Sequence, residues 1–155
     1  MDAAAKREAA PGWIAGGIAI LVFCFFAPTI GYDFLHSDDD VNVFENVHIQ
    51  SLNWESLRWM FTDFEQAIRF KPLSWLGWAV IYQLSGLNPA GYHFANVLLH
   101  ALNSALLVLV LLKPIDSGQK RVWIAAVLAT LLWSLHPLRV EPVAWVTGFP
   151  YHLTT

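Results

Sequence analysis

The sequence predicts an all-α polytopic membrane protein, and three observations carry that expectation. Of the 155 residues, 56% are hydrophobic and only 14% are charged, whereas soluble domains carry about 25% charged residues. Eight residues are tryptophan, which gathers at membrane–water interfaces. Several apolar runs approach or reach the length of a bilayer crossing, with polar strings between them. A globular domain this apolar could not cover its own surface. The net charge of −3 leaves no basic footprint for nucleic acid. Cys24 is the single cysteine, so no intrachain disulfide forms and the redox compartment is not encoded.

Residues 1–12 read as a cytoplasmic N-terminus and 13–35 as the first transmembrane helix. Its apolar core, Trp13 to Gly31, is roughly 28 Å long at the helical rise, close to the hydrocarbon thickness. Lys6 and Arg7 precede it and acidic residues follow, which places the N-terminus inside. The core is longer than a signal-peptide core and lacks a small-x-small cleavage site, so an uncleaved anchor is expected.

Residues 36–71 form the first extracytoplasmic loop. Within it Trp54, Leu57, Phe61, Phe64 and Ile68 recur at steps of three and four, the stripe of an amphipathic helix. Glu55, Arg58, Asp63, Glu65, Gln66 and Arg69 fall largely off that stripe, and Asn53 is the N-cap. Such a helix lies along the membrane surface with its aromatic face in the interface.

Residues 72–89 offer a marginal segment, re-entrant or a short membrane helix, because only about 16 residues separate Pro72 from Leu87. Residues 91–112 are long enough to span. Residues 113–121 make a basic loop, 122–136 a further transmembrane helix ended by Pro137, and 137–155 a loop and the start of another membrane segment. The basic loop belongs in the cytoplasm. With the N-terminus also inside, this requires that 72–89 not cross. His136, Arg139 and Glu141 then emerge on the same face as the acidic triplet Asp38, Asp39 and Asp40.

That triplet is the first candidate for chemistry. Adjacent carboxylates beside a low-dielectric surface repel, which raises one pKa and can make a proton acceptor; solvated boundary residues give the same pattern. The second candidate is a polar stripe, His93, Asn96, His100 and Asn103, on one face of the 91–112 helix. Polar groups in a bilayer need partners, so this face points into a bundle. His93 and His100 are roughly 10 Å apart along the axis, too far to share a zinc ion with ligand bonds of about 2 Å. Interhelical hydrogen bonding is the simpler expectation. The third candidate is His136-Pro-Leu-Arg-Val-Glu-Pro142, where Arg139 either binds phosphate or pairs with Glu141. Lys71 before Pro72 is a further cation, either a phosphate contact or an interfacial snorkelling residue.

The strings DDDVNVFEN, LNWESLRWMFT, KPLSW, GLNPAGYHFANVLLHALNSALL and HPLRVEPVAWV occur in this order over Tyr32 to Val146. They resemble the N-terminal region of the transmembrane-and-tetratricopeptide-repeat proteins and their bacterial relatives. These belong to the GT-C class of membrane glycosyltransferases, which includes the protein O-mannosyltransferases. The resemblance implies the N-terminal part of a GT-C-like helical bundle in the bacterial inner membrane or the endoplasmic reticulum. It implies a polyprenyl-phosphate sugar as donor, with mannose the candidate sugar, and transfer with inversion to a hydroxyl acceptor such as a protein. It places the catalytic base at Asp38 or Asp39. Lys71, His93, Asn96, His100, Arg139 and Glu141 become candidate substrate contacts. A divalent metal is needed by many of these enzymes and not by others, and Asp40 is its candidate ligand here.

Two departures stand beside the resemblance. Where many relatives read Glu-Arg-Lys-Asp, this chain has Gly148-Phe149-Pro150-Tyr151, so a cationic pair suited to phosphate is missing. The sequence also ends at Thr155 after fewer membrane segments than the class uses, and the expectation is an N-terminal fragment without activity alone. A non-enzymatic membrane scaffold and a transporter fragment are the rival readings. A transporter more often shows broken helices with repeat symmetry, and no such symmetry occurs in the sequence.

Overall fold

The computed structural model describes residues 3–36, 38–64, 70–113 and 120–154, with side chains from residue 11 onward. Among the described residues all regular structure is helical. Three long rods are α1 (Ala3–Phe26), α4 (Pro89–Leu112) and α5 (Lys120–Ser134). Shorter helices are α2 (Trp54–Thr62), α3 (Pro72–Ser85), α6 (Val140–Ala144) and α7 (Phe149–Leu153). A π-turn at Asp40–Phe44 and 3-10 turns at Ala27–Gly31, Val47–Ile49, Pro137–Arg139 and Val146–Gly148 link them. This is an all-α membrane protein.

Local chemistry sets most of the boundaries. The rod of α1 tightens into a 3-10 turn at Pro28, which lacks an N–H for the α-helical ladder. Asn53 caps α2 by accepting from the Ser56 N–H at 2.8 Å, as its sequence position predicts. Asn88 caps α4 through the Ala90 N–H at 3.1 Å, with Pro89 in the first turn. Helix α3 ends at Gly86, whose φ of 60° is the one positive value among the described residues. The phenol of Tyr92 donates to the Gly86 carbonyl at 3.0 Å and holds the α3–α4 corner.

Two cores share α4 as a common wall. In one, Ile18, Val22 and Phe26 of α1 pack on Val97, Ala101 and Val108 of α4, with Ala126 of α5. In the other, Trp75, Trp78 and Ala79 of α3 meet Tyr92, Met60 of α2, Val43 and Ile49 of the loop, and Val146 and Phe149 from beyond α6. The outer faces of the rods leave Ile20, Leu21, Phe25, Leu102, Leu106, Val110, Ile124, Leu128 and Leu132 exposed. Such faces suit hydrocarbon, where helices satisfy their own backbone. Pro11–Gly31 and Pro89–Leu112 are each long and apolar enough to cross a membrane. Lys120–Ser134 and Pro137–Ala144, bent by 54°, make a third crossing if counted together. At 14 residues, α3 is about 21 Å long, shorter than the hydrocarbon layer.

Helix α2 is shorter than its periodicity predicts. It stops at Thr62, and Phe64 lies beyond it, stacked on Phe70 with centroids 4.6 Å apart; Ile68 lies outside the described residues. Ser56 and Met60 are its buried positions, whereas Trp54 and Phe61 are exposed. Trp54 and Phe61 thus face away from the bundle, while Leu57 packs on the second core beside Met60. The basic loop 113–121 falls largely outside the described residues.

Candidate functional site: an acidic cleft at the head of helix α4

The acidic triplet separates once folded. Asp38 is exposed, and its backbone carbonyl accepts from Asn42 Nδ2. Asp40 is partly exposed and faces His36 Nδ1 at 3.3 Å. Asp39 alone is buried, at 1% exposure. Its Oδ2 accepts from the Leu35 N–H at 3.0 Å and its Oδ1 from the Thr147 N–H at 3.0 Å. The second bond joins residues 108 apart in sequence and ties the first loop to the turn after α6. Asp38 and Asp39 sit in the helical turn just before the π-turn that begins at Asp40, and consecutive helical side chains point about 100° apart.

Asp39 lines a cleft of about 380 Å³ with Tyr32, Asp33, Leu35, His93, Val140, Glu141, Ala144 and Trp145. Of the residues expected from sequence, the cleft gathers Asp39, His93 and Glu141. Asp33 and Trp145 were not expected there. Trp145 sits inside the HPLRVEPVAWV string and Asp33 directly follows the first apolar run, so position alone was the available signal. No lysine or arginine is among the lining residues. Arg139 lies instead over the Trp133 ring, 4.2 Å from its centroid, and Lys71 lies over Trp78 at 5.0 Å.

The polar face of α4 points into the bundle, and each of its four side chains reaches a backbone carbonyl. His93 Nε2 lies 3.4 Å from the Asp33 carbonyl, and Asn96 Nδ2 donates to Trp145 O at 2.7 Å. His100 Nε2 donates to Ser134 O at 2.9 Å and Asn103 Nδ2 to His152 O at 2.8 Å. A carbonyl only accepts, so the facing nitrogen carries the hydrogen in each pair. Asn96 and His100 are buried within the fold, and neither lines the cleft. His152 of α7 donates to Pro142 O at 3.0 Å. Burial, with His100 beside it, holds its imidazole down at about 4, so it is neutral near pH 7.

Among the described residues no group of three or more histidine, cysteine, aspartate or glutamate side chains could hold a metal ion. Among the described residues Asp40, the candidate ligand, is paired with His36. The described residues do not assemble a ligand set for a metal ion.

The fold and the cleft define a class: an all-α membrane protein whose buried Asp39 ties the segment after α1 to the turn after α6. Comparison with known proteins gives that class a relative. The chain is 31% identical to the protein O-mannosyl-transferase TMTC4 of Mus musculus, over 89% of this chain and 21% of that protein. It is 30% identical to human TMTC4 over the same shares, and 27% identical to Xenopus laevis TMTC2 over 77% of this chain and 14% of that protein. The chain is a relative of the TMTC protein O-mannosyl-transferases and spans about a fifth of the length of the TMTC4 proteins. No family model and no solved structure matches it.

Proposed function

We propose that the chain supplies the acidic part of a membrane glycosyltransferase site, with Asp39 as general base. The donor is a polyprenyl-phosphate sugar, the acceptor a hydroxyl such as that of a protein side chain, and the cleft faces the extracytoplasmic side. The observation that carries the reading is that Asp39, of three adjacent aspartates, is the one lining a cleft. Each of its oxygens uses one lone pair on a backbone N–H and keeps another. One of these takes the acceptor's proton as its oxygen bonds to the anomeric carbon. The sugar–phosphate bond breaks on the opposite face, the electron pair leaves with the phosphate, and the configuration inverts. The similarity to protein O-mannosyl-transferases supports this reading. Lys71 and Arg139 are the cations we assign to the donor phosphate, with α3 not crossing the membrane.

The test uses the protein that carries this chain, in membranes supplied with a polyprenyl-phosphate mannose and a hydroxyl acceptor. Asp39→Asn is expected to lower transfer about 100-fold or more, in the range of a lost general base, while Asp38→Asn leaves it within about twofold. Asp39→Glu, which keeps the charge, separates loss of the base from loss of the tether to Thr147. Transfer unchanged in Asp39→Asn would refute the assignment. A membrane scaffold is the second reading, favoured by the bonding of the whole polar face of α4 to backbone carbonyls. It requires that Asp39→Asn loosen the fold of a protein that never transfers sugar.

A further inference from the structure

Two polar atoms on the cleft's lining residues lack partners among the described residues. His93 is 1% exposed; its Nε2–H is directed to the Asp33 carbonyl, and its Nδ1 has no hydrogen-bond partner. In the neutral ring Nδ1 then carries the lone pair and can only accept. Trp145 Nε1 is likewise buried without a partner, and an indole N–H can only donate. A native fold rarely leaves a buried polar group without a partner, and two of them on residues that line one cleft point to a ligand there.

We propose that His93 and Trp145 form a hydroxyl-recognising pair in this cleft, Nδ1 accepting the ligand's O–H while the indole N–H donates to the same ligand. The assignment rests on the reading of the cleft as the transferase site, and neither atom has a role in that reading so far. The lining selects the chemistry. Asp33, Asp39 and Glu141 repel a phosphate, and no lysine or arginine stands among the lining residues to counter them. An ammonium would suit the carboxylates but has nothing to offer the indole N–H. A hydroxyl both donates and accepts, so it satisfies the pair. It comes from the acceptor or from the sugar of the donor, and the donor's phosphate binds elsewhere.

The experiment is saturation-transfer NMR on the protein that carries this chain, purified in detergent. The probes are a threonine-containing peptide, methyl α-D-mannopyranoside and inorganic phosphate. Trp145→Phe keeps the ring and drops the N–H. His93→Gln keeps a donor for the Asp33 carbonyl and drops Nδ1, and His93→Asn sets an amide oxygen near the place of Nδ1 while losing reach to Asp33. At least one hydroxyl probe is expected to bind the parent, and its affinity to fall about fivefold or more in Trp145→Phe and in His93→Gln. Both variants should unfold at the parent's temperature. His93→Asn is expected to recover binding and to lose thermal stability, a crossed pattern that a purely structural histidine does not give. Which hydroxyl probe responds names the source, and phosphate should displace neither. Binding unchanged in both variants, no hydroxyl probe bound by the parent, or displacement by phosphate each overturns the pair. If His93→Gln does not fold, Trp145→Phe decides. A parent that binds a hydroxyl probe through the pair but never transfers sugar sinks the transferase reading and leaves this one standing.

Discussion

Helix α4 presents two different surfaces along one rod, and the contrast shows how this protein divides its stabilisation. Its first four turns carry Tyr92, His93, Asn96, His100, Asn103 and Ser104, and these side chains bond to corners, turns and a neighbouring helix. Its last two turns carry Val108 and Leu112, which belong to the aliphatic core with α1 and α5. The apolar end meets regular helices, whose backbones are already satisfied, so packing suffices there. The polar end meets irregular backbone, whose carbonyls need donors when water is excluded. The cleft forms at the polar end, where the backbone of three separate segments converges.

The largest expected effect tests that convergence at a glycine. A Cβ on Gly148 would overlap the backbone carbonyl of Pro142, whereas one on Gly17 meets nothing within 4 Å. Gly148→Ala is therefore expected to destabilise by about 3 kcal/mol, the upper range for forced overlap in a packed site. It should also weaken the adjoining Asp39–Thr147 tether. Gly17→Ala is expected to be neutral or stabilising by up to about 1 kcal/mol, because alanine is the better helix former. Thermal unfolding in one detergent measures both, and a similar loss in the two variants would break the division between irregular segment and rod.

The next comparison is within α4 itself. His100→Leu keeps bulk but removes the donor to Ser134 O, a carbonyl at the C-terminal end of α5. Such end carbonyls have no intrahelical partner, and leaving one buried and unmet costs about 2 kcal/mol. His100→Gln should recover part of that loss, because its amide N–H still reaches the carbonyl. Val108→Ala, at 0% exposure on the apolar end, is expected to cost about 1–2 kcal/mol from lost packing. A His100→Leu loss smaller than that of Val108→Ala would show that packing governs both ends alike.

The sequence made some of this visible and hid the rest for identifiable reasons. The polar face was legible because His93, Asn96, His100 and Asn103 repeat with the helical period, and Asn53 was legible as a cap because capping is local. The partners of that face were not, since a backbone carbonyl at Trp145 or His152 carries no residue-type signal. Asp39 could not be told from Asp38, because which of two adjacent carboxylates faces the bundle is set by tertiary packing, here with Val43 in the aromatic core. Trp54 and Phe61 of α2 are exposed, and in a membrane protein an exposed aromatic face has a solvent of its own. The departure at Gly148-Phe149 gains a physical account: Phe149 packs against Trp78 with centroids 6.1 Å apart, and a Cβ on Gly77 would overlap its ring.

The smallest expected effect separates the number of hydrogen bonds from their worth. Ser134 Oγ lies 2.8 Å from both Ser104 Oγ and the Thr130 carbonyl, and Ser104 Oγ lies 2.8 Å from the His100 carbonyl. Two hydroxyl protons thus serve three contacts. One must bridge the two oxygens while the other goes to a carbonyl of its own helix. In Ser104→Ala the bridge disappears, but Ser134 still donates to Thr130 O, and no buried donor is left unmet. The expected cost is about 0.6 kcal/mol, the average for interhelical hydrogen bonds inside membranes. This is well below His100→Leu one turn away, although both remove a buried polar side chain. A loss above about 2 kcal/mol for Ser104→Ala in the same unfolding assay would mean that a fallback partner does not set the cost, and that the α4–α5 contact depends on the bridge itself.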